Sequence, residues 1–270
     1  MTEMRMLPLV LLLSSMPTMA VCDCYPECEC EPYCRCEFEP KPEWYGDMYE
    51  ACVFGESEEV ELLLGAGVNP GKHRSLLRAA GEHIRILEQL LPYYKDMTAK
   101  EQAEYRACIA ASKGNARELQ ELLAGGVLPN TTLPCENMCS PMSLLYLAVC
   151  GVHAECVELL LAQPGIDVNM PGGVSTPLHI AVSRNSPEMV RLLLAAPGIE
   201  VNGTSSWGLA GAETPLHTAA QLGRTECLRL LLAAPGVNPN ATDRWGATPL
   251  QYALKAGHAD CAQLLRDAKM

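Results

Sequence analysis

Apolar positions along this chain fall into paired short runs that recur at a near-constant distance. The alanines that close the first run of each pair are Ala51, Ala79, Ala110, Ala148, Ala181, Ala219 and Ala253, separated by 28, 31, 38, 33, 38 and 34 residues. A unit of about thirty-three residues therefore recurs about seven times, the mark of a repeat architecture. Eight positions after six of these alanines a second apolar run begins: "EVELLL", "ELQELL", "CVELLL", "MVRLLL", "CLRLLL" and "CAQLL". The pattern predicts helix, tight turn, helix in every unit.

The residues between the runs fit that reading. Pro177, Pro215 and Pro249 stand where a first helix begins, the one place where a missing N–H costs little. The threonine before each is expected to cap the free amides with its side chain. Leu178, Leu216 and Leu250 are expected to point inward, and the small alanines let paired helices come close. Gly55, Gly114, Gly223 and Gly257 fall at the end of the first helix, where a left-handed turn is cheap for glycine. "PGIDVN", "PGIEVN" and "PGVNPN" end the second helix and turn the chain into an extended hairpin. One such unit cannot bury its apolar face alone, so neighbours must stack.

The strings "TPLHIA" and "TPLHTA", with "LLLAAPGIEVN" behind the first, resemble the ankyrin repeat family. The match is fullest over residues 143–269, looser over 103–130 and 45–69, and weakest in "SLLRAAGEHIRILEQLLPYYKDM", which lacks the glycine-ended turn. The resemblance implies an all-α solenoid of about seven helix-turn-helix units over residues 44–270. It also implies a non-catalytic scaffold that grips a protein partner along a concave face made of hairpin tips and first helices. The family's variable contact positions map onto Arg244, Trp245, Ala247, Lys255 and Ala256 in the last unit. In the two units before it they map onto Glu213, Gln221 and Leu222, and onto Ser175, Ser183 and Arg184.

Composition agrees with a thin stack. Aromatic residues make up 5% of the 270 positions, with two Phe, against 49% hydrophobic residues overall. A net charge of −12 disfavours nucleic acid as partner, since holding phosphates takes a basic face. It equally disfavours adsorption to anionic membranes.

The two 38-residue steps place extra residues at "PNTTLPCENMCSP" and "NGTSSWGLAGAE", both in hairpins, where insertions displace no core. Trp207 and Trp245 then fall on adjacent tips, as interface anchors or as local packing of each hairpin.

Chemistry is sparse. No nucleophile elbow, phosphate loop or HExxH string is present, so neither an enzyme nor a cofactor is expected. His179 and His217 are expected to bond neighbouring hairpin backbone. Cys156, Cys227 and Cys261 occupy one slot in three units and should behave as small buried apolar groups. Cys227 and Cys261 should stay unpaired, because packed helices hold them too far apart for a disulfide. Cys135 and Cys139 share a loop and could bridge. The N-x-Thr strings at Asn130, Asn202 and Asn240 read as structural turns rather than glycosylation sites.

The N-terminus is a different kind of text. "MRMLPLVLLLSSMPTMA" carries one Arg, an apolar run and small residues at 18 and 20, so residues 1–20 read as a secretory signal cut after Ala20. The alternative is an uncleaved apolar start. No transmembrane helix is expected in the mature chain, although Cys22 leaves a lipid anchor open. Residues 21–43 form a Cys/Pro/Glu-rich tail in which Cys22, Cys24, Cys28, Cys30, Cys34 and Cys36 make three Cys-x-Cys pairs. Disulfides are the first reading in an oxidising, extracytoplasmic setting, and Zn²⁺ or Cu(I) thiolates the other. Two functions follow: an exported interaction scaffold, or a thiol-based metal-sequestering or redox tail carried on one.

Overall fold

A computed structural model describes residues 44–80, 83–133, 141–173, 175–205 and 212–268. The signal and tail expected over 1–43, the Cys135 and Cys139 pair and Trp207 lie outside these residues.

Glu43–Met270 is one compact unit. Its described residues form seven helix pairs: α1 (Trp44–Phe54) and α2 (Ser57–Gly65), α3 (Ser75–Ala80) and α4 (Ile84–Leu90), α5 (Ala99–Lys113) and α6 (Ala116–Ala124), α7 (Leu144–Cys150) and α8 (Ala154–Leu161), α9 (Pro177–Ser183) and α10 (Pro187–Ala195), α11 (Pro215–Leu222) and α12 (Thr225–Ala233), and α13 (Pro249–Ala256) and α14 (Ala259–Asp267). From α5 onward each first helix packs on the next first helix, and each second helix on the next second helix. The seven period alanines lie within this stack with at most 2% exposure, which allows the close helix approach that the period requires. Leu178 and Leu216 are buried, while Leu250, in the last described unit, is half-buried. Strands are minimal: β1 (Thr132–Leu133) pairs antiparallel with β2 (Met142–Ser143), and single bridges join Gly172 to Ser175 and Ser205 to Glu213.

The second unit departs from the rule. Its helices α3 and α4 are short, and a 3₁₀ turn, Leu91–Tyr93, follows. Across the joint to the third unit, α4 meets α5, but first-on-first and second-on-second packing is sparse. Tyr94 fills the space. Its ring is fully buried and its hydroxyl donates to the His73 carbonyl at 2.7 Å, while Gln102 Nε2 donates to the Tyr94 carbonyl. Arg74 pairs with Glu101 across the same joint, and the Thr98 and Glu101 capping box starts α5.

Glycine is used where predicted. Gly55, Gly114, Gly223 and Gly257 hold φ between +66° and +78°. Three of them also leave room for a histidine that the sequence reading did not single out. Hypothetical Cβ atoms on Gly55, Gly114 and Gly223 would sit 2.6, 2.5 and 2.7 Å from the rings of His83, His153 and His258. Those rings bond Val53, Ser112 and Gln221 carbonyls of the preceding unit at 3.2, 2.8 and 3.0 Å through Nε2. A carbonyl only accepts, so each Nε2 carries the hydrogen. In the fourth and fifth units the left-handed slot is held by Val152 (φ +59°) and Asn185 (φ +52°).

Opposite effects on stability are expected from the two kinds of occupant. Gly114→Ala loses about 2 kcal/mol by adding left-handed strain and displacing His153. Val152→Gly gains about 1 kcal/mol by removing a β-branched residue from that region. Urea midpoints of the two variants check both signs; a shift in the same direction for both contradicts the account.

Candidate functional site

The last two hairpins and the helices behind them enclose a groove of about 610 Å³ lined by Glu213, Gln221, Asp243, Trp245, Ala247, Gln251, Tyr252, Lys255 and Ala256. Each wall is fixed by hydrogen bonds that cross from one unit to the next.

The TPLH strings set the frame. In α11 the Thr214 N–H donates to His217 Nδ1 at 3.1 Å, so Nδ1 is unprotonated and Nε2–H donates to the Ala247 carbonyl at 3.0 Å. His179 repeats the arrangement one unit earlier: Nε2 bonds the Glu213 carbonyl at 2.9 Å and Nδ1 faces the Thr176 hydroxyl at 2.7 Å. Burial drives the His179 pKa down to about 4 and lowers that of His217, so both rings are neutral at physiological pH. The threonine caps take a reciprocal form: at Thr214 and Thr248 the side chain faces the amide three residues on, as expected, and is answered from there. The side chain three residues on, His217 or Gln251, accepts in turn from the threonine N–H. Proline at the first helical position already removes one amide that would need a cap.

Asp243 anchors the last hairpin. Its Oδ1 accepts from the N–H groups of Trp245 and Ala247 at 2.9 and 2.8 Å, and its Oδ2 meets the Tyr252 hydroxyl at 2.8 Å. Burial opposes its ionisation, yet these bonds hold its pKa below the usual carboxylate range. The same hydroxyl lies 2.9 Å from Glu213 Oε1. Tyr252 also packs edge-on against His217, with ring centroids 5.2 Å apart. The Tyr252 phenol is pushed well above its ordinary pKa, first by burial and then by the two carboxylates. Trp245, by contrast, is 62% exposed at the tip.

Of the predicted contact residues, the groove therefore unites Glu213, Gln221, Trp245, Ala247, Lys255 and Ala256. It does not take in Arg244, Leu222, Ser175, Ser183 or Arg184. Arg244 and Leu222 are exposed. The Arg184 guanidinium donates to Cys150 Sγ at 3.0 Å, and the Ser183 carbonyl accepts from Arg224. Asp243, Gln251 and Tyr252 complete the groove but were not among the predicted residues.

The opposite edge carries a second set of rungs. Asn130, Asn169 and Asn202 each donate through Nδ2 to a glycine carbonyl one unit on, Gly165, Gly198 and Gly236, at 2.8 to 2.9 Å. Their Oδ1 atoms accept from the N–H groups of Asp167, Glu200 and Asn238. Asn130 and Asn202 are thus structural, as the sequence suggests, with their amide nitrogens engaged. Cys156, Cys227 and Cys261 are buried and free.

A row of helix pairs joined by side-chain rungs, with an open groove at one end, defines a helical repeat protein built for surface contact. The chain belongs to the ankyrin repeat family: residues 107–205 match the model for ankyrin repeats (3 copies) and residues 216–266 the model for ankyrin repeats (many copies). No curated protein matches it. Ankyrin repeats are interaction scaffolds, generally without catalysis. Among the described residues no helix is long and apolar enough to cross a membrane.

Proposed function

We propose that the protein is an exported, non-catalytic scaffold that binds a partner protein through its hairpin tips and first helices. The observation that carries this reading is the groove between the last two hairpins, in which Trp245 stays exposed while Asp243, Tyr252 and the Ala247 carbonyl are fixed by hydrogen bonds. Preorganised walls lower the ordering cost of binding, and exposed tryptophan is the residue type most enriched among interface anchors. Export rests on the apolar N-terminus and the Cys-x-Cys tail. The repeat thiols suit it, since burial pushes Cys52 and Cys108 up to about 12, so they stay protonated and resist oxidation.

Affinity capture from the native source with the mature chain is the test, run beside a Trp207→Ala, Trp245→Ala double variant. Loss of two anchors should weaken capture by on the order of 2 kcal/mol, about thirtyfold in Kd. Capture that ignores both tryptophans but disappears on deleting residues 21–43 would move the function to the thiol tail. N-terminal sequencing of the native protein should begin at Val21; a retained Met1 would overturn export.

A further inference from the structure

Resting on the scaffold reading, we infer that the terminal groove receives a basic side chain, arginine or lysine, from an extended segment of the partner protein. The argument starts from a shortage of hydrogens. Glu213 Oε1 and Asp243 Oδ2 both lie within hydrogen-bond distance of one Tyr252 hydroxyl, at 2.9 and 2.8 Å. A phenol has one proton and can satisfy one carboxylate. The other carboxylate is left beside an oxygen lone pair, on the groove wall.

Among the described residues, the groups nearest the pair supply no further donor. The Glu213 main chain is already fixed from the other side, because its carbonyl accepts from His179. Asp243 Oδ1 is spent on two hairpin amides. His217 packs against the Tyr252 ring but commits Nε2 to the Ala247 carbonyl, and its Nδ1 has no hydrogen to give. Lys255 is the one cation lining the groove, and among the described residues it makes no ion pair within 4.0 Å.

The walls select the form of the missing donor. Trp245 presents a largely exposed indole over the groove, and Ala247 and Ala256 leave room along its floor. An arginine or lysine stem lies well along an indole face, with its head directed at carboxylates, so that cation–π attraction and a charge-assisted hydrogen bond act together. The protein's net charge of −12 draws a basic segment toward the site from a distance.

A phage-displayed library of random peptides, selected on the mature full chain, tests this. Peptides that compete with one another and are lost on Trp245→Ala should share an arginine or lysine at one position. Replacing that residue by citrulline or norleucine should weaken binding about tenfold or more, and Glu213→Gln should weaken it similarly. Glu213→Gln keeps the side chain's size on a half-buried hairpin residue, and an unchanged urea midpoint shows that the stack is intact. Peptides that need Trp245 yet tolerate citrulline and Glu213→Gln overturn the inference and leave the scaffold reading standing. Selection that yields no peptide sensitive to Trp245 or to any other tip residue defeats both.

Discussion

Tyr94→Ala is expected to remove about 3 to 5 kcal/mol of stability, the usual cost of deleting a buried aromatic ring. The ring sits at the joint where α3 and α4 are short and first-on-first and second-on-second packing is sparse. The loss should also be local. In a linear stack each unit is held by its neighbours, so weakening one joint releases the shorter block first. Hydrogen exchange should speed up over residues 44–97 in the variant while residues 144–268 keep their protection. Tyr94→Phe, which keeps the ring and drops the bond to the His73 carbonyl, should cost about 1 kcal/mol. A uniform loss of protection along the chain would show that the joint is as tight as the others.

Acid is expected to be the second strong perturbant. The folded pKa of His179 lies near 4, below its ordinary value of 6.5, so the unfolded chain binds the proton more readily. Stability from this ring is complete above pH 6.5 and drains away as pH falls toward 4, reaching on the order of 3 kcal/mol. His217 acts in the same direction. The last unit indicates a control, since Gln251 holds the equivalent place and accepts from the Thr248 N–H without titrating in this range. His179→Gln should therefore flatten the fall in urea midpoint between pH 7 and pH 4.5, whatever it does to stability at pH 7. An equally steep fall in the variant would place the acid sensitivity elsewhere.

Much of the architecture was legible because local rules and the period point the same way. Proline at a helix start, glycine in a left-handed turn and alanine at a close helix contact each have a cause within one unit. The TPLH histidines were legible too, through their fixed distance from the helix start. The His83, His153 and His258 rungs and the Asn130, Asn169 and Asn202 ladder were not, because their partners are main-chain carbonyls about thirty to forty residues away. A backbone acceptor leaves no trace in the letters. The groove was half legible: variable tip positions identified Trp245, Glu213 and Lys255, whereas Tyr252 reads as an ordinary helix residue until the fold sets its hydroxyl between two acids from different hairpins.

The rungs that tie the units together run from imidazole or carboxamide side chains to main-chain groups rather than between opposite charges. The ion pairs between units, such as Arg191 with Glu226 and Lys113 with Glu88, lie on exposed side chains, where such pairs contribute little. Ionic strength therefore acts on the two properties of this protein separately. Added salt screens the attraction between an acidic surface and the proposed basic segment over a Debye length of about 10 Å at 0.1 M, while hydrogen bonds to the main chain keep the stack's shape. The scaffold can meet a change in its ionic surroundings as a change in grip, with its own framework left as it was.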